Sequence, residues 1–299
     1  MVGERRAFAR TLVIGAQRLR RYTERLRAIC VVLLAAILDI RWAIRGDFLS
    51  KQDELIGKVP AVTLGFWIVK IAATTLGETG GDALSMSLDL GYLLSTGIFA
   101  AIFVIAVAAQ IRAKSFQPWL YWLTIIATTT VGTTLADFAD RSLGIGYAGG
   151  SAILLGLLLA SLATWYRTLG TVAIDTVNSP KAEAFYWVTI MFSQTLGTAL
   201  GDWTADSAGL GYVGAMVIFG GLLALLAAFY FWSKISHTML FWAAFVLTRP
   251  LGAVVGDFLD KPLAHGGLDL SRFTASAALL VLMVLCIWFF PQRSAQRGH

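Results

Sequence analysis

FWIVKIAATTLGETGGD, residues 66–82, decides how the chain is read, because three related stretches follow it: YWLTIIATTTVGTTLAD at 121–137, YWVTIMFSQTLGTALGD at 186–202 and FWAAFVLTRPLGAVVGD at 241–257. Each copy opens on an aromatic residue and a Trp, places a Gly ten residues after the Trp and ends on an Asp fifteen after it. Trp67, Trp122, Trp187 and Trp242 therefore mark a four-fold internal repeat.

Composition sets the environment. With 57% apolar and 14% charged residues and a mean hydropathy of +0.71, a chain of 299 residues is too apolar for a water-soluble globule. It reads as an all-α polytopic membrane protein whose principal partner is the lipid bilayer. Eight apolar segments follow residue 58, at about 59–81, 90–111, 119–136, 146–166, 184–201, 211–232, 239–256 and 273–290. Each is long enough to cross a bilayer as a helix. One repeat is one helix pair: the first helix carries the motif, a short acidic loop follows, and the second helix is plainer. Because every repeat crosses twice, the four repeats are expected to enter the membrane in one direction, an eight-helix bundle of parallel repeats rather than inverted ones.

The Trp spacings of 55, 65 and 55 divide the bundle into pseudo-two-fold halves, 59–175 and 176–290. The acidic loops agree, since DFADR at 137–141 and DFLDK at 257–261 occupy matching places in repeats two and four. Residues 1–58 form a basic segment with eight arginines before residue 28, and Leu12, Leu19, Tyr22, Leu26 and Ile29 recur at helical spacing within it. Such a segment suits an anionic membrane surface or simply sets topology. The apolar run at 30–38 is short for a span and reads as interfacial. The basic segment, the tail at 291–299 and the loops on that side hold 19 of the 24 Lys and Arg, so both termini are expected in the cytoplasm. Nine of the 18 carboxylates gather at the opposite side. The +6 net charge is thus a topology signal, and no nucleic-acid partner is expected.

On each motif helix, positions eight, eleven and fifteen after the Trp lie within about 60° of one another. That face holds Thr75, Glu78 and Asp82, then Thr130, Thr133 and Asp137, then Thr195, Thr198 and Asp202; repeat four departs with Pro250, Ala253 and Asp257. The threonines either bond back to their own helix or line a pathway. The neighbouring face carries Gly77 and Gly81, Gly132 and Ala136, Gly197 and Gly201, Gly252 and Gly256. Small residues four apart let helix backbones touch. Three charges fall inside apolar segments, Lys70, Glu78 and Arg249. An ionisable group at that depth is costly and faces an interior or a partner, and Arg249 is expected to pair with Glu78 or a repeat aspartate.

KVPAVTLGFWIVKIAATTLGETGGD, residues 58–82, resembles the opening repeat of a bacterial family of membrane-anchored proteins built from four copies of a short repeat of unknown function. The likeness runs over residues 58–290 and rests on the KVP start, the TTLGETGGD block and the Trp-to-Asp spacing. It implies a bacterial inner membrane and brings no activity with it. The residues themselves point to an ion or proton-coupled secondary transporter for a hard cation. Glu78 is the central group, Asp82, Asp137, Asp202 and Asp257 a carboxylate-lined outer mouth, Thr75, Thr130 and Thr195 its hydroxyls, and Lys70 and Arg249 its counter-charges. Soft metals do not fit, because His237, His265 and His299 are isolated and Cys30 and Cys286 lie far apart. The alternative is a non-transporting scaffold or sensor. No HExxH, GxSxG or ATP-binding loop occurs, so neither an enzyme nor a cofactor is expected.

Overall fold

The computed structural model describes residues 57–290 and 292–295. Most of the basic segment at 1–58, the run at 30–38, residue 291 and residues 296–299 of the tail lie outside the described residues. Among those described there are eight α-helices and no strand: α1 (Leu64–Asp82), α2 (Gly91–Arg112), α3 (Pro118–Asp137), α4 (Tyr147–Leu169), α5 (Pro180–Asp202), α6 (Gly211–Trp232), α7 (His237–Asp260) and α8 (Arg272–Phe289).

Local chemistry sets the ends. Thr63 caps α1 by accepting from the Phe66 amide at 3.2 Å, and Ser179 caps α5 through Ala182 N at 3.3 Å, with Pro180 following at the first helical position. Pro118 opens α3 in the same way. At the other end of each motif helix in repeats one to three, the repeat Asp leads into a single π-helical turn, Ala83–Ser87, Phe138–Ser142 and Trp203–Ser207. Repeat four has none, and α7 continues to Asp260. The outer helices of repeats one to three then start at Gly91, just after Gly146 and at Gly211, whose φ angles of +72°, +76° and +65° account for glycine in each Gly-Tyr pair.

The packing order is cyclic. The motif helices form an inner ring in which α1 touches α3, α3 touches α5, α5 touches α7 and α7 touches α1. Each outer helix packs on the motif helix of the next repeat: α2 on α3, α4 on α5, α6 on α7, and α8 back on α1. The halves 59–175 and 176–290 consequently interlock, since α4 lies on α5. Where the chain passes from α8 to α1 there is no covalent link, and an extended contact replaces it: Ala61 N donates to Arg293 O at 2.8 Å and Ala295 N to Val59 O at 2.8 Å.

The glycines make this ring close. A methyl group on Gly77 would strike Thr129, one on Gly197 would strike Arg249, and one on Gly252 would strike Thr74; on Gly132 it would sit 2.9 Å from the Gln194 carbonyl carbon and 2.9 Å from Thr195 N. In each case the residue ten after a Trp meets the residue seven after the next Trp. Gly81, Gly201 and Gly256 repeat the pattern one turn on, against Thr133, Ala253 and Glu78.

Five helices, α2, α4, α6, α7 and α8, are long and apolar enough to cross a membrane. Large apolar side chains on the outer helices, such as Leu93, Ile105, Val217 and Trp288, face outward. α1, α3 and α5 are more polar along their lengths, with Lys70, Glu78 and Asp82 on α1 and six threonines on α3. Their polar groups are buried, and α8, α2 and α4 cover them. The chain is an all-helical membrane bundle with its polarity turned inward.

Candidate functional site

The inner ring stacks side chains in layers along its axis. At the Trp end, Phe66 packs on Trp122, Tyr121 on Trp187, Tyr186 on Trp242 and Phe241 on Trp67, with ring centroids 5.6, 5.7, 6.1 and 5.9 Å apart. The same cyclic relation that orders the glycines orders these pairs. The Tyr121 and Tyr186 hydroxyls meet at 2.6 Å, both fully buried, so this end is closed by an aromatic plug with one internal hydrogen bond.

The next layer holds Lys70, Ile125, Ile190 and Phe245, all 0% exposed. The Lys70 ammonium sits 4.1 Å from the Phe245 ring centroid and has no hydrogen-bond partner among the described residues. One turn further come Thr74, Thr129, Gln194 and Arg249, again fully buried. Thr74 and Thr129 donate to carbonyls of their own helices, Ile71 O at 2.9 Å and Ile126 O at 2.8 Å.

Arg249 crosses to the layer above. Its Nη2 lies 2.9 Å from Glu78 Oε2 and 2.6 Å from Thr133 Oγ1, and it also donates to Thr198 Oγ1. Thr133 Oγ1 in turn donates to Glu78 Oε2 at 3.2 Å. Four motif helices thus meet at one guanidinium nitrogen. A pair this deep persists because both charges are hydrogen-bonded as well as paired.

At the Asp end, two cations tie the four repeat aspartates together. Arg141 lies 3.1 Å from Asp137 Oδ1 and 3.3 Å from Asp202 Oδ2, with its Nε–H directed to the Tyr147 hydroxyl at 3.1 Å. Lys261 bonds to Asp82 and lies 2.9 Å from Asp257 Oδ1. Each cation joins its own repeat's aspartate to the next repeat's, and the two bridges occupy equivalent places in repeats two and four. Arg272 adds a contact to Asp260 at 3.0 Å and a longer one to Asp82 at 3.8 Å. Burial opposes the Lys261 charge, but the carboxylates of Asp257, Asp82 and Asp260 outweigh it and push its pKa up. Burial also pushes the Asp140 carboxyl above the usual carboxylate range, with Arg141 pulling the other way.

Two groups of carboxylate oxygens lie within 4.8 Å of one another: Glu78, Asp202 and Asp257, and Asp82, Asp257 and Asp260. Lys261 already sits among the second group. In the first group each acid has a cation at one oxygen only, and Asp202 Oδ1 is buried without a hydrogen-bond partner. Oxygen ligands of this kind suit magnesium, calcium, manganese or a proton.

The sequence-derived residues are therefore partly gathered and partly not. Glu78, Arg249, Asp202 and Asp257 converge. Asp82 and Asp137 lie in the same outer layer, bound to Lys261 and Arg141. Lys70 stands apart, near the plug. Thr75, Thr130 and Thr195 direct their hydroxyls to Ile71 O, Ile126 O and Met191 O of their own helices, at 2.9, 2.8 and 3.0 Å. Other contributors hold only a loop or motif position in the sequence: Arg141 and Lys261, whose i,i+4 spacing from Asp137 and Asp257 is the available signal, and Thr133 and Thr198. Nothing in the sequence marks Arg272, nor the pair at the Trp end in which Lys58 Nζ lies 2.7 Å from the buried Glu183.

A ring of four parallel helix pairs around a buried charged axis defines a repeat-built polytopic membrane protein. The chain belongs to the family described as Repeat of Unknown Function (DUF347), whose pattern matches four times, at residues 65–116, 120–171, 185–236 and 240–294. No curated protein and no solved structure matches the chain.

Proposed function

We propose that the protein is a secondary transporter for a hard cation or for protons, and that Glu78, Asp202 and Asp257 form its central binding station. The observation that carries this is the approach of oxygens from these three buried acids, borne by three different motif helices, to within 4.8 Å of one another. The charge balance supports it. Six carboxylates, Glu78, Asp82, Asp137, Asp202, Asp257 and Asp260, are ion-paired in the ring with four cations, Arg141, Arg249, Lys261 and Arg272. Among these ion-paired groups, Lys70 not included, the negative charges exceed the positive by two, a balance that suits a bound cation or protons.

In this reading Arg249 is the exchangeable partner. A cation arriving at Glu78 displaces the guanidinium, which keeps the hydroxyls of Thr133 and Thr198. When the cation leaves, Arg249 re-pairs and neutralises the site. Arg141 and Lys261 close the outer mouth by bridging neighbouring aspartates, and the Tyr121–Tyr186 plug closes the inner one. Opening either end in turn gives alternating access, driven by an ion gradient with no chemistry at a covalent centre. The basic segment and basic loops support a bacterial inner-membrane protein with both termini in the cytoplasm.

The test is flux in proteoliposomes, with protons, sodium, potassium, magnesium, manganese and calcium offered singly to wild type and to Glu78→Gln. Flux of one hard cation or of protons, lost in the variant, is the expected result. Flux that survives Glu78→Gln would remove Glu78 from the pathway, and silence across the panel in folded protein would remove the transport reading.

A further inference from the structure

We propose that the layer between the aromatic plug and the Glu78–Arg249 pair binds a small monovalent anion of halide size, held by Lys70, Arg249 and Gln194. The donors are buried and unspent. Lys70, Arg249 and Gln194 are each 0% exposed. Among the described residues the Lys70 ammonium has no hydrogen-bond partner, Arg249 directs only Nη2 to Glu78 and the threonines, leaving Nε and Nη1 without partners, and neither end of the Gln194 amide is bonded. Ser193, beside Gln194, has an unbonded hydroxyl as well.

Their backbone positions are neighbours in the ring, with Arg249 Nη2 reaching one layer up to Glu78. Arg249 follows Phe245 by four residues, so the two share a face of α7, and the Lys70 ammonium rests 4.1 Å from the Phe245 ring centroid. Gln194 occupies on α5 the place that Arg249 occupies on the adjacent α7, seven residues after its Trp. All three belong to the two consecutive layers at the middle of the ring.

The layer lacks the opposite charge. From each Trp to the Gly ten residues on, no Asp or Glu occurs on any of the four motif helices. Glu78 balances Arg249 from above, and nothing described balances Lys70, whose aromatic contact offsets only part of the cost of an interior ammonium. Buried donors with unspent hydrogens on two cationic groups and an amide favour an anion that can accept several hydrogen bonds at once. A halide meets this need without a shape requirement. Buried Ile125, Ile190 and Phe245 fill the rest of the Lys70 layer, which favours a small ion. Arg249 is shared with Glu78, whereas Lys70 and Gln194 take no part in the cation station.

The test uses purified full-length protein in detergent, with sodium gluconate replaced stepwise by sodium bromide at constant ionic strength and thermal unfolding followed. A rise in Tm that saturates with bromide is expected in wild type and in Glu78→Gln, and its loss is expected in Lys70→Met, where an apolar chain of similar length replaces the ammonium. Gln194→Leu should weaken the half-saturation point about tenfold, the ratio that one charge-assisted hydrogen bond supplies. If Lys70→Met fails to fold, Gln194→Leu decides. A wild-type Tm indifferent to bromide, a rise that never saturates, an unchanged rise in Lys70→Met or an unchanged half-saturation point in Gln194→Leu would overturn the proposal. Loss of the bromide response in Glu78→Gln would also overturn it as an independent site.

Discussion

Separating Glu78 from Arg249 should be the costliest polar change in the ring, and the cost should be recovered when both are replaced. The guanidinium is fully buried and its Nη2 lies 2.9 Å from Glu78 Oε2. Glu78→Gln leaves Arg249 with the Thr133 and Thr198 hydroxyls but no neutralising charge, a change that costs about 3–5 kcal/mol for a buried pair. Arg249→Met strands the Glu78 carboxylate with only the Thr133 hydroxyl for a donor, at a similar cost. The double variant leaves neither charge behind, so its loss should be smaller than the sum of the single losses by at least ~2 kcal/mol. Equilibrium unfolding in mixed micelles titrated with denaturing detergent, followed by helical circular dichroism, reads all four corners of this cycle. Losses that add to within ~0.5 kcal/mol would show that the two groups do not interact and would refute the pairing.

Two further outcomes follow from the ring's packing. Gly132→Ala should destabilise by about 1–3 kcal/mol, because its methyl meets α5 backbone atoms at 2.9 Å that cannot turn aside. Gly80→Ala, on the same motif in a place with nothing within 4 Å, should stabilise by about 0.5–1 kcal/mol; the same unfolding assay ranks them, and a reversed order would contradict the helix contacts. At the plug, Tyr121→Phe should cost about 1–3 kcal/mol by leaving the buried Tyr186 hydroxyl unpaired, while Tyr121→Phe with Tyr186→Phe should restore much of the loss, since Phe66 and Phe241 already fill the equivalent places. Equal losses in the single and double variants would refute the internal bond.

The helices were legible because hydropathy and repeat spacing report directly on them. The segment at 211–232 coincides with α6. The first segment begins at 59 by apolarity but at Leu64 in the fold, because Pro60 and the Thr63 cap hold the preceding residues extended, where they pair with 293–295. α7 runs beyond the expected 256 to Asp260 because repeat four lacks the π-helical turn that ends the others. Glu78 and Arg249 stand out in the sequence because charge is rare in apolar segments. That they face each other depends on α7 closing onto α1, and cyclic order leaves no trace in a linear pattern. Arg141 lies in a π-helical turn, Lys261 just past α7 and Arg272 at the start of α8, so spacing points at most to the aspartate of the same repeat and only the packed structure reveals the carboxylate of the next one.

The way each outer helix is handed on to the following repeat bears on how such a molecule could arise. A chain of only two repeats would carry an α4 with no motif helix to cover and an α1 with no outer helix upon it. Two such chains could satisfy each other by exchanging those helices, forming a closed dimer in which both cation bridges, the counterparts of Arg141 to Asp202 and of Lys261 to Asp82, run between subunits. Joining the subunits through residues 170–179 would fix that exchange within one chain and free the two halves to diverge. Gln194 against Thr74, and Arg249 against Thr129, at equivalent positions of the two halves, are the kind of difference that an identical pair of subunits could never hold on one side alone.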